Sequence, residues 1–470
     1  MSRNKSSETN EPVLSTLNKD GTRRVVRPKL SKGRFYRWRR TTAYALILLF
    51  TAIPYINLNG KPLILLDLPR REFSLFGAAF LPTDTVLLML LLVAIVVTIF
   101  LLTALFGRVW CGWVCPQTVY MEFLYRPIER LIEGKSQQQR KLDREGANGR
   151  RVLKVIVFGL VSVFLAHTFL AYFVGVDALY LWIQRSPFEH PAAFLVMASV
   201  TLLMFLDFAW FREQTCIVAC PYGRLQSVLL DRQSMIVGYD PGRGEPRGKL
   251  KRAAGDTERR GDCIDCKACV VTCPTGIDIR GGLQMECIGC TQCVDACDAI
   301  MDRIERPRGL IRYTSQDVLE GKKAKLLRPR VVAYPAILIL VLSLFVLALN
   351  RRADADVTLL RGLGSPFTLM PSGAVSNQLR IKLVNRTREQ RRYTVSLVEA
   401  AGIELVMPQN PLTVAPGETA TAVVFLTTPR ARFKFGWFRV KLRITDGAKF
   451  EKLVEYRLLG PKTAGKGGQR

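Results

Sequence analysis

The sequence predicts a polytopic α-helical membrane protein with a cysteine-rich insert before its last span and an all-β domain at its C-terminal end. Five segments are apolar enough to cross a bilayer, which takes about 20 residues per helix. Eight of the 12 cysteines lie in one short run, and the last part of the chain alternates apolar with polar residues. The predicted divisions are 1–40, a basic N-terminal segment; 41–230, a four-helix membrane domain; 231–330, the cysteine-rich domain; 331–350, a fifth span; and 351–470, the β domain.

The composition combines apolar runs with a strong positive charge. Hydrophobic residues make up 49% of the 470 residues, and 68 Lys and Arg against 39 Asp and Glu give a formal net charge of +29. Such a balance is typical of nucleic-acid-binding proteins or of membrane proteins with basic flanks. The long uncharged runs favour the membrane protein, so no nucleic-acid partner is expected. The two histidines are too few for extensive imidazole ligation of metals.

The distribution of basic residues orients the predicted spans, which are Thr41–Leu58, Thr85–Phe106, Val155–Val176, Ala192–Phe211 and Val331–Asn350. Pro54 and Asn57 interrupt the first of them. Lys and Arg number 12 in residues 1–40, 10 in 107–154 and 21 in 212–330, against 3 in 60–82 and 1 in 176–191. Because basic loops remain in the cytoplasm, the N-terminus and the cysteine-rich domain are expected there. The chain after Asn350 is expected on the opposite side.

The tail after Ala353 predicts several short strands, because Val, Leu and Thr alternate with polar residues between turn signals such as Pro416-Gly417 and Asp446-Gly447. This spacing is typical of a β-sandwich of about 100 residues. The tail contains no cysteine and no histidine. Packing or docking is therefore a better expectation for it than catalysis.

The cysteine-rich domain contains two successive motifs of one spacing. The first is C-x2-C-x2-C-x3-C followed by Pro274, and the second has Asp298 in place of the proline. In two-cluster ferredoxins the first three cysteines of each motif bind one [4Fe–4S] cluster and the fourth completes the other. Cluster one would then be held by Cys263, Cys266, Cys269 and Cys297, and cluster two by Cys287, Cys290, Cys293 and Cys273.

Zinc and disulfides are the alternatives to these two clusters. Structural zinc sites favour two cysteine pairs separated by a longer loop, and disulfides are rare in the cytoplasm. Both alternatives fit the spacing less well. Because four thiolates per cluster leave no iron open to a substrate, the predicted role of the clusters is one-electron transfer.

The other four cysteines form two C-x3-C-P motifs about 105 residues apart, Cys111 with Cys115 and Cys216 with Cys220. Each motif is preceded by an arginine and follows an even-numbered span, which indicates an internal repeat whose motifs face each other beside the cysteine-rich domain. On one helix, Cβ atoms four residues apart are about 5–6 Å from each other, wider than a disulfide prefers. A helix break at the proline would allow a disulfide again.

Copper(I) is a soft ion that favours thiolates. The four cysteines of the C-x3-C-P motifs are therefore predicted to be a redox or copper site, with copper as substrate or transient ligand.

Two ionisable residues lie within the predicted spans, tyrosines apart. His167 is either an intramembrane ligand or a hydrogen-bonded helix contact. Asp207 either reaches the lipid headgroups or relays protons from a quinol. The sequence does not decide between these roles.

The chain resembles the FixG/CcoG-type cytochrome c oxidase accessory proteins of bacteria. The similar stretches are WCGWVCPQTV (110–119), REQTCIVACPYGRLQSVLLD (212–231), YDPGRGEPRG (239–248), GDCIDCKACVVTCPTGIDIRGGLQMECIGC (261–290) and VDACDAIMDRI (294–304). The order of spans, ferredoxin insert and terminal β domain is also similar.

The resemblance implies a protein of the bacterial inner membrane whose iron–sulfur clusters reduce Cu(II) to Cu(I) during assembly of the cbb-type oxidase. It implies an immunoglobulin-like fold for the β domain, which would lie in the periplasm. Its partners would be the oxidase assembly machinery and copper chaperones or transporters.

Two other function classes remain open. The chain also resembles quinol dehydrogenase subunits of the periplasmic nitrate and nitrous oxide reductase systems, which would make quinol the electron donor. A non-enzymatic scaffold is the third interpretation.

Overall fold

The computed structural model describes residues 15–16, 18, 20, 22–58, 61–67, 72–76, 78–80, 84–146, 148–249, 261–323, 328–387, 389–398 and 401–462. Residues 1–14 of the predicted basic segment, 250–260 of the cysteine-rich domain and 463–470 of the β domain lie outside the described residues. The helices are α1 (Arg34–Ala52), α2 (Thr85–Phe106), α3 (Val109–Trp113), α4 (Pro116–Tyr120), α5 (Arg126–Glu133), α6 (Ser136–Glu145), α7 (Gly149–Val174), α8 (Val176–Ile183), α9 (Pro191–Leu206), α10 (Pro221–Leu229), α11 (Pro241–Gly244), α12 (Ala268–Val271), α13 (Gln292–Arg303), α14 (Gln316–Leu319) and α15 (Pro329–Asn350).

Shorter helical turns and the strands complete the described secondary structure. The π-helical turns are Met121–Tyr125, Asp207–Phe211 and Thr215–Ala219, and the 3₁₀ turns are Ile53–Tyr55, Ile279–Gly281 and Arg430–Arg432. The strands are β1 (Asn57–Leu58), β2 (Lys61–Pro62), β3 (Ile64–Asp67), β4 (Glu72–Leu75), β5 (Ala78–Phe80), β6 (Ile236–Tyr239), β7 (Ile311–Thr314), β8 (Ala355–Arg361), β9 (Thr368–Leu369), β10 (Val375–Asn385), β11 (Arg391–Val398), β12 (Glu404–Val406), β13 (Leu412–Val414), β14 (Thr419–Thr428), β15 (Trp437–Thr445) and β16 (Glu451–Leu459).

Four of the described helical segments are long and apolar enough to cross a membrane: Thr85–Phe106, Gly149–Val174, Pro191–Phe211 and Pro329–Asn350. They correspond to four of the five predicted spans. In three of them no more than 11% of the most apolar window is buried within the protein. Continuous exposed apolar surface of this extent indicates contact with lipid, so the chain is a membrane protein.

The first predicted span, Thr41–Leu58, is not among these four segments. Helix α1 begins with basic residues at Arg34 and ends at Ala52, and Pro54 lies in the 3₁₀ turn that follows. The apolar part from Thr41 to Ala52 is about 18 Å long at 1.5 Å per residue, shorter than a hydrocarbon core of about 30 Å. A fifth crossing therefore stays a prediction.

Helix α1 is joined to the cysteine-rich domain through its first turn. The carboxylate of Asp295, on α13, accepts hydrogen bonds from the backbone amides of Phe35 (3.2 Å) and Tyr36 (2.7 Å). These amides have no partner within the helix, and a negative charge beside them is favourable. Gly33 leaves room for this contact, since a Cβ there would lie 2.4 Å from the Asp295 carboxyl group.

The cysteine-rich domain is a compact unit around α12 and α13, closed by an antiparallel pair of strands. Strand β6 pairs with β7 in the register Ile236 with Thr314 and Tyr239 with Ile311. These strands bring the two ends of the domain together. Its core combines several of the cysteines with apolar side chains, among them Ile277, Val294 and Met301.

The C-terminal domain, taken by itself, consists of two antiparallel sheets around one core, which confirms the all-β prediction. The first sheet has the order β12-β14-β10-β8, with β9 on β10, and the second has the order β13-β11-β15-β16. In β10 every second residue from Val375 to Leu383 is buried. Facing side chains such as Val395 and Leu442 in the second sheet complete the core.

We expect Asp295→Ala to release α1 from the cysteine-rich domain. Hydrogen bonds to a charged group contribute about 2 kcal/mol, so the undocked population should rise roughly 30-fold. Limited trypsin digestion of membranes measures this, because cleavage among the basic residues of α1 should become faster. Asp302→Ala is the matched control, since the Asp302 carboxylate lies on the same helix and, among the described residues, pairs with Arg308 rather than with α1. Equal digestion rates for the two variants would contradict the docking role.

Candidate metal centre

Two turns of the same conformation present the thiols of the cysteine-rich domain. Asp265 and Gly289, two residues after the first cysteine of each motif, have positive φ angles of 50° and 67°. Lys267 and Thr291, two residues further on, have φ angles of 55° and 57°. Alternation between left- and right-handed backbone turns successive amides towards a common anion site. Each motif can therefore surround a negatively charged group.

The second motif has Asp298 where the first has Pro274, and its helix is the longer of the two. Helix α12 ends at Val271, whereas α13 continues through Asp298 to Arg303. The Asp298 carboxylate accepts a hydrogen bond from the backbone amide of Gly309 at 3.0 Å. The departure from the ferredoxin pattern thus has a structural use.

The eight thiols are predicted to form two groups of four. We call Cys263, Cys266, Cys269 and Cys297 the first thiol set, and Cys273, Cys287, Cys290 and Cys293 the second thiol set. Burial raises the pKa of Cys297 to about 12, and the other three thiols of the first set are among the groups that raise it further. Burial also raises the pKa of Cys293, and the other thiols of the second set together with Cys269 raise it further. Thiols of both sets share one core, in which Cys263, Cys269 and Cys297 are buried and Cys273, Cys287 and Cys293 pack against them.

A cavity lies among the thiols of the second set. All four of its thiols line the cavity, together with Cys269 of the first set and the apolar side chains of Ile277, Ile279 and Ile288. A [4Fe–4S] cluster is held by four cysteine thiolates. The thiols around the cavity supply that number of ligands.

Arg39 is a buried cation beside the second thiol set that the sequence analysis missed. Its side chain is 1% exposed, and its Nε donates to the carbonyl of Gly112 at 2.9 Å. Among the described residues, its two Nη atoms have no hydrogen-bond partner. Burial raises the pKa of Cys290 to about 12, and the charge of Arg39 opposes this rise. The guanidinium lies over the ring of Phe123 at 5.3 Å from its centroid, a contact that leaves the positive charge without a counter-charge. Because burying an unpaired charge is costly, the site fits a negatively charged group held by the second set.

The backbone repeats itself at the two C-x3-C-P motifs. Four residues before the first cysteine of each motif, the backbone has nearly the same conformation. Gly107 has φ 58° and ψ −129°, and Arg212 has φ 55° and ψ −121°. Cys115 and Cys220 each precede a helix that begins with proline. Because α3 ends at Trp113, the first cysteine pair does not share one helix. The internal repeat is confirmed, and the break at the proline is the alternative that applies.

The four thiols of the two motifs come together as one group, which we call the membrane tetrad: Cys111, Cys115, Cys216 and Cys220. Burial raises the pKa of Cys216, and the other three tetrad thiols raise it further. Burial raises the pKa of Cys111 to about 11, and the Arg108 guanidinium opposes this rise. The two halves of the repeat therefore face each other, and a basic side chain accompanies them.

Backbone amides at helix N-termini contact the second thiol of each motif. The amide of Gly223 donates to the Sγ of Cys220 at 3.4 Å. The amides of Gln117 and Thr118 donate to Cys115, which lowers its pKa against the larger rise that burial causes. Such amides stabilise a thiolate. The second thiol of each motif thus has an amide contact in both repeats, whereas the first thiols differ, since only Cys111 donates to Gln226 (2.9 Å) among the described residues.

A buried ion-pair network holds Arg212 in its left-handed conformation, which is strained for a residue with a side chain. The Arg212 guanidinium donates to Glu129, which also pairs with Arg27 (2.6 Å) and Lys154 (3.4 Å). Burial raises the pKa of Glu129, but these cations lower it more, to about 2. The network therefore fixes the turn that leads into the second motif.

The tetrad lies against the loop that carries the second thiol set. Cys111, Ile288 and Cys290 form one buried cluster, against which Cys216 packs. A Cβ on Gly112 would lie 2.8 Å from the carbonyl groups of Ile288 and Gly289. The two backbones are thus in direct contact, and the thiols of both groups share one apolar environment.

His167 and Asp207 lie differently relative to the thiol groups. The Nδ1 of His167 is 2.8 Å from the carbonyl of Val163, one turn earlier in α7, which favours the helix-contact role. Asp207 accepts hydrogen bonds from the Thr215 hydroxyl and from the side-chain amide of Gln117 (3.1 Å), and its negative charge is among the groups that raise the pKa of Cys216. Asp207 therefore links the two repeats beside the membrane tetrad.

We expect Gly112→Ala to destabilise the contact between the tetrad and the second thiol set. The added methyl group would overlap with backbone atoms, and overpacking typically costs about 1–3 kcal/mol. Thermal unfolding in detergent measures the loss. Gly159→Ala is the control, because a Cβ on Gly159 has no neighbour within 4 Å. If both variants unfold at the wild-type temperature, the close approach is not a constraint.

Comparisons with known proteins agree with this architecture. Residues 88–135 match the model of a 4Fe-4S binding domain, residues 211–316 a 4Fe-4S dicluster domain, and residues 345–461 the IG-like fold at the C-terminus of FixG. The chain is 36% identical to protein RdxA of Cereibacter sphaeroides, an alignment covering 78% of this chain and 80% of the relative.

Two further relatives are similar over most of their length. Protein RdxB of Cereibacter sphaeroides is 32% identical, covering 88% of this chain and 91% of the relative. The nitrogen fixation protein FixG of Rhizobium meliloti is 30% identical, and the alignment covers 87% of this chain and 88% of the relative. The chain therefore belongs to the FixG family and is a membrane-associated iron–sulfur electron-transfer protein.

Proposed function

We propose that the chain reduces Cu(II) to Cu(I) for the assembly of a cbb-type cytochrome c oxidase. The observation that carries the proposal is the packing of thiols of both sets in one core and the contact of Cys290, in the second set, with Cys111 and Cys216 of the membrane tetrad. Each Cu(II) takes up one electron and leaves as Cu(I), the form that thiolate chaperones carry. The oxidase, and copper as the acceptor, rest on the resemblance to FixG/CcoG-type accessory proteins.

The two thiol sets are the proposed ligands of two [4Fe–4S] clusters, Cys263, Cys266, Cys269 and Cys297 for one and Cys273, Cys287, Cys290 and Cys293 for the other. When bound, the clusters supply one-electron transfer. The protein's own residues shield part of each set from water, since Cys269 and Cys290 are buried while Cys266 is exposed. Arg39 offsets negative charge at the second set, and Asp295 keeps α1, which carries Arg39, on the domain.

The membrane tetrad is the proposed redox site at which copper is reduced or transiently bound. Soft thiolates suit Cu(I), and Cys115, Cys216 and Cys220 are partly exposed. The backbone contact at Gly112 keeps the tetrad beside the second thiol set.

The excess of Lys and Arg in 1–40, 107–154 and 212–330 supports a cytoplasmic location for the tetrad and both thiol sets. The membrane would be the bacterial inner membrane, with the β domain on its periplasmic side. There the β domain would dock the oxidase assembly machinery, copper chaperones or transporters.

Replacing all four tetrad cysteines with serine should abolish Cu(I) production above the background rate. The assay mixes the anaerobically reduced full-length protein with Cu(II) and a coloured Cu(I)-specific chelator. Serine binds soft copper poorly and carries no electron, so both roles of the tetrad would be lost.

The control is the EPR signal of the ferredoxin clusters, which must persist in the variant. Cys297→Ser serves as the comparison in which the first thiol set alone loses a ligand. Unchanged Cu(I) production by a tetrad variant that retains its ferredoxin signals would refute a role for the tetrad.

A quinol dehydrogenase subunit is the second candidate, and a cavity in the membrane domain favours it. The cavity, of about 220 Å³, is lined by both histidines of the chain, His167 and His190, and by Trp182, Arg185 and Met197. The rings of Trp182 and His190 are stacked, with their centroids 4.9 Å apart. Imidazole and guanidinium groups in an apolar cavity can bind the oxygens of a quinol head.

We expect a water-soluble quinol to reduce the clusters if this second function applies. His190→Phe should slow the reduction by removing a hydrogen-bonding group while keeping the stacked ring. Absorbance of the clusters follows the reaction, and dithionite reduction is the control that the clusters are intact. Equal rates for wild type and variant would exclude this cavity as the quinol site.

A further inference from the structure

We infer that the membrane tetrad holds a third [4Fe–4S] cluster. The inference rests on the proposed function and deepens it, because it assigns the tetrad a resident electron carrier. Four thiols, two from each half of an internal repeat, meet in one partly buried group that neither ferredoxin motif uses. Four cysteines are the ligand number of such a cluster.

The tetrad offers the same number and kind of ligands as each of the two ferredoxin sets. Cys111 lies in one buried cluster with Cys290 of the second set, and Cys216 packs against that cluster. The second set belongs to a matched 4Fe-4S dicluster domain, so the tetrad lies directly beside thiols of that domain.

The surroundings of the tetrad favour a negatively charged group. Amides at two helix N-termini donate to Cys115 and Cys220, and hydrogen bonds to the sulfurs are a usual means of tuning a cluster. The Arg108 guanidinium lies beside Cys111 and donates to the carbonyl of Gly223 at 3.0 Å. Its Nε is buried with no hydrogen-bond partner among the described residues. This cation offsets charge at the tetrad as Arg39 does at the second set.

The family comparisons include a 4Fe-4S match outside the dicluster domain, and the residues of that match alone do not provide four thiol ligands. The dicluster match over residues 211–316 contains all eight ferredoxin cysteines, which suffice for two clusters. The separate 4Fe-4S match over residues 88–135 contains two cysteines, Cys111 and Cys115. Two thiols cannot fill four iron positions. The fold brings Cys216 and Cys220 to the same place, which completes the set.

A cluster at the tetrad changes where copper reacts. With four thiolates each bound to iron, none is free to bind copper, so Cu(II) would take its electron from outside the tetrad. A resident cluster and a copper ion held by these four thiols are therefore mutually exclusive, and metal content distinguishes them.

The test is the iron, acid-labile sulfide and copper content of the full-length protein, purified without oxygen, together with its Mössbauer spectrum. We expect about twelve iron atoms per chain, four for each of three clusters. The variant with all four tetrad cysteines replaced by serine should contain about eight, with the ferredoxin EPR signals retained.

A content of eight iron atoms in the wild type would overturn the inference, whether or not one copper ion is also bound. An equal iron content in wild type and variant would overturn it as well. If the variant fails to insert into the membrane, the wild-type count alone decides. Cu(II) reduction is measured on the same preparation. Twelve iron atoms without Cu(II) reduction would uphold the third cluster and refute the copper function. Eight iron atoms with Cu(II) reduction would refute the third cluster and uphold the copper function.

Discussion

The contact between Gly112 and the carbonyl groups of Ile288 and Gly289 sets the distance between the ferredoxin thiols and the membrane tetrad. No side chain separates the two backbones at this point. The positive φ of Gly289 turns the loop so that Cys290 faces Cys111. Two hydrogen bonds stabilise the same junction. The indole of Trp113 donates to the hydroxyl of Tyr313 at 2.9 Å, and this hydroxyl donates to the carbonyl of Gly289 at 3.2 Å. A redox protein with buried centres depends on such short separations, and here the backbone provides them.

Charge compensation is the second constraint, and it explains why arginines surround the thiols. Burial disfavours the thiolate form, as the raised pKa values of Cys111 and Cys290 show. Arg108 and Arg39 oppose this effect, one at each group of thiols. Their guanidinium groups are themselves buried and lack a full set of partners among the described residues. Thiols and cations therefore depend on each other, and iron–sulfur clusters at the thiols would satisfy both.

The sequence predicted the parts of this protein that depend on local spacing. The cysteine spacings indicated the two thiol sets, the recurrence of C-x3-C-P after about 105 residues indicated the repeat, and alternation indicated the β domain. Arg39 could not be predicted, because its contact with Gly112 joins residues that are 73 positions apart. Nor could the link from Asp207 to Gln117, since both roles considered for Asp207 assumed a side chain facing lipid or a proton path. The α-helical part of the first predicted span ends at Ala52, just before Pro54, one of the two residues that interrupt that span in the sequence.

The most direct test of the account is rapid-freeze EPR of the reduced protein mixed with Cu(II) in the absence of oxygen. The account requires the Cu(II) signal and the signal of the reduced clusters to disappear at the same rate, one electron for each copper. Loss of both signals in the wild type, with slower loss in Gly112→Ala, would tie the reaction to the junction between the thiol groups. Persistent Cu(II) beside clusters that remain reduced would contradict it and remove copper as the acceptor.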